Sequence, residues 1–427
     1  MHTYRIEGGF PVKGRIRASG NKNAALPCIA ATVMARAPVI LRNIPEIEDV
    51  HVMLDVLRGL GASVERSGDH AWRIDPSSLS GTEVPAEEAR KVRASILFAG
   101  PLVARFGKAE LPPPGGDVIG RRRLDTHVLA LEELGARVEI DGAFRFAANK
   151  LVGADIFLDE ASVTGTENAV MAACLAEGRT VIRNAASEPH VQDLCRFLVS
   201  MGARIDGVGS NVLRIEGVAE LGGADFSIGP DYMEIGSFIG LTAVTRGELE
   251  IEGVVSEDIR PLKIPFSRLG INWKVRDGIL SVPAGQSMKV VADLGGQIPV
   301  IYDQPWPAFP PDLTSIMTVV ATQAEGTVLI HEKMFESRMF WVDKLIGMGA
   351  KIVLCDPHRA VVTGPARLRA DSLTSPDVRA GMAMVIAALC AEGVSEIDNV
   401  YQIERGYESL CERLRGIGAR ITREEDC

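Results

Sequence analysis

The loop Leu111–Asp125, LPPPGGDVIGRRRLD, gathers groups suited to acid–base and anion chemistry. One carboxyl, Asp117, stands between glycines and is followed by Arg121, Arg122 and Arg123. The prolines at 112–114 stiffen one end of the loop, and its glycines allow the backbone angles that a closing lid needs. Gly115 and Gly120 have the spacing of a phosphate loop. Arg121 and Arg122, however, stand where Lys and Ser or Thr are required, and no strand-to-helix context surrounds them. A nucleoside-triphosphate loop is therefore rejected. Asp117 is either a solvated turn residue or the acid of a lid. A second carboxylate, Asp312 in PAFPPDL, precedes the apolar run Leu313–Gln323, where Pro-Pro-Asp makes a good helix start and the side chain can cap it. The seven histidines show no metal-binding spacing, so no metal is expected.

These groups must be positioned within a chain of 427 residues, enough for two or three domains with substantial cores. Apolar residues make up 46% and charged residues 24%, an ordinary globular profile. The net charge of -10 argues against nucleic acid and anionic membrane as partners, so an anionic ligand must meet a local cluster of cations. Seven scattered cysteines without a CxxC pair predict neither disulfides nor structural zinc. No signal-like region opens the sequence and no apolar span has membrane length, which makes the cytoplasm the expected compartment.

A helical pattern ending in glycine and running into a strand-like stretch occurs six times: LRGLGASVE, LEELGARVEI, LVSMGARID, FSRLGINWKV, LIGMGAKIVL and LRGIGARITR. The glycines are Gly61, Gly135, Gly202, Gly270, Gly349 and Gly418, separated by 74, 67, 68, 79 and 69 residues. About two dozen residues before each lies a small turn followed by an alternating run, as in AEGRTVIRNA and AEGVSEIDNV. Apolar helical stretches such as Asn23–Met34, Thr166–Ala176 and Val378–Ala391 precede most of these turns. The unit reads βαβαββ, with each glycine in the left-handed position that closes a helix. One unit cannot bury both its faces, so units must pack together, and two globules of three units each fit better than an open solenoid. Gly229–Pro230 is a plausible crossover between them.

Six such units with a Gly-rich loop resemble the enolpyruvyl transferase family, most closely the branch acting on UDP-N-acetylglucosamine. The resemblance runs essentially end to end through SGNKNAALP, VRASILFAGPLVARFG, PGGDVIGRRRLDTH, SVTGTENAVMAA, NAASEPHVQDLC, PAFPPD, FESR, SPDVRAG and IERGYE. Fingerprints of the shikimate-phosphate branch are not evident. The resemblance implies an α/β fold of two inside-out α/β barrels built from six βαβαββ repeats. One domain would span 22–229 and carry the lid 111–125; the other would join 1–21 to 230–427, with the active site in the cleft between them. The implied reaction moves the enolpyruvyl group of phosphoenolpyruvate to the 3'-hydroxyl of UDP-N-acetylglucosamine, early in peptidoglycan synthesis. It needs no cofactor, and its partners are those two substrates; the sequence fixes no oligomeric state.

Residue by residue, the resemblance assigns Lys22, Arg122, Arg338, Arg379 and Arg405 to phosphoenolpyruvate, whose anionic groups suit the guanidinium fork. It assigns Asn23, Arg93, Arg122, Leu124, Asp125, Ser162, Val163 and Asp312 to the nucleotide-sugar, and adds Asp377 to the substrate set. Lys22, Asp117, Asp312 and Arg405 are the catalytic candidates. Asp312 is the base for the sugar hydroxyl, and Asp117 is the acid that protonates C3, at a position where many relatives carry cysteine. A carboxyl does this only with a raised pKa, which closure over an anionic substrate would promote and the adjacent arginines would partly offset. Without a thiol there, insensitivity to fosfomycin-type epoxides is expected. Glu160 stands where many relatives have Lys, Thr164 where they have Gly, and Arg123 is the candidate replacement for the missing cation. Two other readings are a different nucleotide or sugar acceptor, and an RNA 3'-phosphate cyclase-like activity, against which the acidic chain argues.

Overall fold

The computed structural model describes residues 2–116 and 123–425, and Asp117 and Arg122 lie outside them. The chain forms two compact units. One joins the residues up to Ser19 to those from Pro230 onward, and the other holds the described residues of 20–229. The connections are tied within each unit: Asn21 N–H donates to Gly229 O, and Asp231 N–H to Ser19 O, each at 2.8 Å.

Each unit places three sheets around a group of buried helices. In the N-terminal unit these helices are Lys22–Ala31, Ala99–Phe106 and Val163–Cys174. In the C-terminal unit they are Tyr232–Val244, Thr314–Gln323 and Val378–Cys390. They are apolar almost all round; every residue of Tyr232–Val244 is buried. A helix of that kind can only be an interior one. Glycines bring the backbones close: a Cβ at Gly240 would lie 2.8 Å from Ile316 Cγ2. The second helix of each repeat is amphipathic, as in Glu48–Gly59 and Pro189–Ser200, and covers the flank.

All six predicted glycines have positive φ, from 77° at Gly270 to 109° at Gly202. Each closes its helix with the same pair of bonds. Gly61 N–H donates to Arg58 O and Ala62 N–H to Leu57 O, and the pattern returns through Gly418 to Arg415 and Ala419 to Leu414. This is the Schellman closure, which a side chain at the glycine position would strain. The following strands form hairpins, such as Ser63–Gly68 with Ala71–Asp75.

Among the described residues, five sheets have four strands and one has three. In each four-stranded sheet an edge strand runs parallel to its neighbour, for instance Asp155–Phe157 beside Arg179–Arg183. In the three-stranded sheet that edge shrinks to a single parallel bridge, Glu83 with Glu110. The first strand, His2–Glu7, lies between Val394–Asp398 and Arg420–Glu425. The second, Lys13–Arg17, runs parallel to Glu248–Glu252.

Candidate functional site

Several of the proposed site residues share a place in the repeat: the N-terminus of an inner helix or the turn leading into it. Lys22 and Asn23 open Lys22–Ala31, where Asn21 caps the helix by accepting from Asn23 N–H. Arg93 opens the short helix Arg93–Phe98 that leads into Ala99–Phe106. Ser162 caps Val163–Cys174 through its hydroxyl, which accepts from Gly165 N–H at 3.2 Å. Asp377 caps Val378–Cys390, accepting from Arg379 N–H at 2.8 Å and Ala380 N–H at 3.0 Å. First-turn N–H groups have no partner within their helix, so these positions offer donors by construction.

The C-terminal unit carries the densest charge. The Asp312 carboxylate accepts from Arg338 Nη2 at 2.8 Å and from Arg379 Nε at 2.9 Å, and both arginines are buried. Asp312 sits in the turn Pro311–Leu313, and no side chain caps the helix Thr314–Gln323. The two guanidinium groups set its aim. Arg338 Nε and Nη1 and Arg379 Nη1 are buried without a hydrogen-bond partner. Burial works against the charge of both arginines but is outweighed, at Arg338 by Asp312, Glu332 and Asp377, and at Arg379 by Tyr407, Asp312 and Asp231. Arg405, also buried, donates to Gln402 Oε1 at 2.9 Å.

Sequence reasoning missed several residues around this centre. Asp231 caps Tyr232–Val244, and burial raises its pKa to about 6 while Arg379 opposes the rise. The repeat register could have exposed it, because Asp231 occupies the same helix-opening position as Ser162 and Asp377. Glu332 is wholly buried behind Arg338; burial lifts its pKa to about 9, with Arg338 opposing and Asp303 adding to the rise. Asp303 in turn accepts from Lys333 N–H at 2.5 Å and Met334 N–H at 3.2 Å, which fixes the segment before Arg338. No local motif marks Glu332 or Asp303.

The N-terminal unit is arranged differently. Lys22 Nζ is paired with Asp49 Oδ2 at 2.7 Å, with both side chains largely withdrawn from solvent. Arg93 Nη2 reaches Arg123 O at 3.2 Å. Arg123, expected to replace a lost cation, is held by Asp125 at 3.1 Å and Asp159 at 3.0 Å, so a ligand phosphate must compete with two carboxylates for it. Leu124 precedes the helix Asp125–Glu133 that Asp125 opens. Thr126 Oγ1 donates to Asp159 Oδ1 at 2.7 Å, which ties this helix to the segment before Ser162. The start of the loop is fixed as well: a Cβ on Gly115 would overlap the Arg90 carbonyl, and Gly116 has φ of 102°.

Residues 6–414 match the family model described as EPSP synthase (3-phosphoshikimate 1-carboxyvinyltransferase). The UDP-N-acetylglucosamine 1-carboxyvinyltransferase of Treponema denticola is 67% identical over 425 residues, covering 100% of both chains. The protein of the same name from Bradyrhizobium diazoefficiens is 56% identical over 420 residues, 98% of this chain and 97% of that one. Among solved structures, the enolpyruvyl transferase NikO from Streptomyces tendae superposes with a TM-score of 0.87 at 23% identity, covering 99% of this chain and 98% of that one. EPSP synthase from Acinetobacter baumannii gives 0.74 at 16% identity over 100% of each chain. Both structures share the two-domain inside-out α/β fold, and at such identities the likeness bears on fold alone.

Proposed function

The chain belongs to the EPSP synthase family of carboxyvinyl-transferring enzymes, and on that premise we propose that it moves the enolpyruvyl group of phosphoenolpyruvate to the 3'-hydroxyl of UDP-N-acetylglucosamine, releasing phosphate. The acceptor follows the printed names of the full-length relatives. The observation that carries the chemistry is the set of partnerless guanidinium nitrogens of Arg338 and Arg379 around Asp312. Buried donors of that kind are costly unless a ligand meets them, and a phosphate or carboxylate suits them best.

In this reading, phosphoenolpyruvate takes guanidinium N–H bonds that Asp312 now holds. The carboxylate is then freed to accept the proton of the sugar hydroxyl as that oxygen attacks C2. Asp117 delivers a proton to C3, giving a methyl group. Removal of a proton from C3 then expels phosphate from C2. Lys22 and Arg405 complete the cationic set that balances the developing charge. The reaction belongs to peptidoglycan synthesis and is expected in the cytoplasm. A lid carboxyl in place of a thiol predicts resistance to fosfomycin.

Phosphate release from phosphoenolpyruvate tests the assignment, with UDP-N-acetylglucosamine, shikimate 3-phosphate or no acceptor present. Release only with UDP-N-acetylglucosamine is the expected result. Silence with that acceptor sinks it.

A further inference from the structure

Behind the helix start at Ser162 lies a chain of polar side chains that the mechanism does not use. Asn168 is wholly buried, and its amide orientation is fixed from two sides. Its Oδ1 accepts from Gly100 N–H at 2.9 Å, and its Nδ2 donates to Ile96 O at 2.9 Å. The remaining N–H of that amide points at His127 Nδ1, 2.8 Å away. Because an amide nitrogen only donates, His127 Nδ1 must accept, and the imidazole proton is confined to Nε2. Nε2 lies 3.0 Å from Thr164 Oγ1. His127 is itself fully buried, and burial followed by the charge of Arg93 pushes its pKa down to about 3, so the ring is neutral at any working pH.

The consequence falls on Thr164. Its hydroxyl already accepts from His127, and among the described residues no second partner is found for it. The hydroxyl hydrogen therefore turns away from the ring. Thr164 is half-buried in the first turn of Val163–Cys174, next to Ser162 and Val163, which the functional reading gives to the nucleotide-sugar. With its hydrogen turned away from the ring and one of its two lone pairs taken from behind, the hydroxyl is set to donate to an acceptor-only oxygen.

We propose that Thr164 is a specificity-determining residue that donates its hydroxyl hydrogen to a phosphate oxygen of the sugar nucleotide, and that Asn168 and His127 are positioning residues fixing that direction. The proposal rests on the functional reading above. It assigns to a neutral side chain part of the diphosphate recognition in a region where Glu160 and Asp159 supply negative charge and Arg123 is engaged by carboxylates.

The test is steady-state kinetics on the full chain with Thr164→Val and Thr164→Ser, following phosphate release. Valine keeps the volume and removes the hydroxyl, so KM for UDP-N-acetylglucosamine should rise roughly tenfold, the scale of one hydrogen bond to a charged group. KM for phosphoenolpyruvate and kcat should stay within about twofold, and serine should restore most of the loss. Equal KM values for valine and the parent, or a matching rise in KM for phosphoenolpyruvate, would overturn the proposal. Nitrogen-15 spectra of histidine-labelled protein supply a second readout that does not depend on activity. They should show His127 as the Nε2–H tautomer, unchanged down to about pH 5; an Nδ1–H tautomer breaks the relay. If the unsubstituted enzyme releases no phosphate with this acceptor, the functional reading and the proposal fall together. If it does and valine behaves like the parent, only the proposal falls.

Discussion

The two units repeat one architecture but fill its helix-opening positions with opposite electrostatics. The C-terminal unit buries charged groups: Arg338 and Arg379 around the half-buried Asp312, with Asp231 at the head of Tyr232–Val244. The N-terminal unit holds its cations in ion pairs, Lys22 with Asp49 and Arg123 with Asp125 and Asp159, and adds neutral groups such as Ser162, Thr164, His127 and Asn168. A buried guanidinium without a full set of partners waits for an anion, whereas a chain of neutral donors selects by direction. The same scaffold can thus divide electrostatic attraction and orientational selectivity between its halves.

The harshest way to break this contrast is to remove the C-terminal carboxylate. Asp312→Ala should cut kcat by about a thousandfold, the range of a lost general base, and take from two buried guanidiniums the carboxylate they share. Phosphate release and thermal unfolding together separate the chemical loss from the stability loss. Next is the lid acid. Asp117→Asn should lower kcat by at least about a hundredfold with substrate affinity retained. Asp117→Cys should restore alkylation by fosfomycin, read by mass spectrometry; rapid labelling of residue 117 in the parent protein would refute the assignment.

The pH profiles of stability should diverge between the units. Glu332 has its folded pKa raised to about 9 from an ordinary carboxylate value. Its contribution is complete in acid and is lost as pH rises toward 9, by up to about 1.4 kcal/mol per pH unit. His127 has its pKa lowered to about 3, so its contribution is present above pH 6.5 and is lost as pH falls toward 3. In urea titrations across pH, Glu332→Gln should flatten only the alkaline limb and His127→Gln only the acid limb. Finally, Arg123→Ala should alter KM for the acceptor by no more than about threefold, because its charge is spent on Asp125 and Asp159. A larger effect would show that the ligand wins that competition.

Much of the scaffold was readable in advance because its rules are local. A glycine after the last helical residue, followed by an alternating run, specifies a Schellman closure and a strand whatever lies elsewhere, and it did so at Gly61 as at Gly418. The site was legible where a motif carries it, as in GNKN around Lys22. It was illegible where partners are distant in the chain. Asp49 lies 27 residues beyond Lys22, and Asp312 meets Arg379 across 67. The reading of Asp312 as a cap has the same origin: Pro-Pro-Asp is a local signal, whereas the two arginines that hold its carboxylate are distant.

The placement of His2–Glu7 also bears on how the chain is made. This strand is made long before its neighbours, since it pairs on both sides with strands ending at Asp398 and Glu425. Lys13–Arg17 likewise waits for Glu248–Glu252. During synthesis at roughly 5–20 residues per second, the opening strands stay unpaired while residues 20–229 can already fold. The alternating charges of the second strand, KGRIR, and of HTYRIE in the first suit a long wait as open β-edges without self-association. Arg420–Glu425 closes over His2–Glu7, so a ribosome that stops short of Arg420 releases a protein in which His2–Glu7 has lost one neighbour.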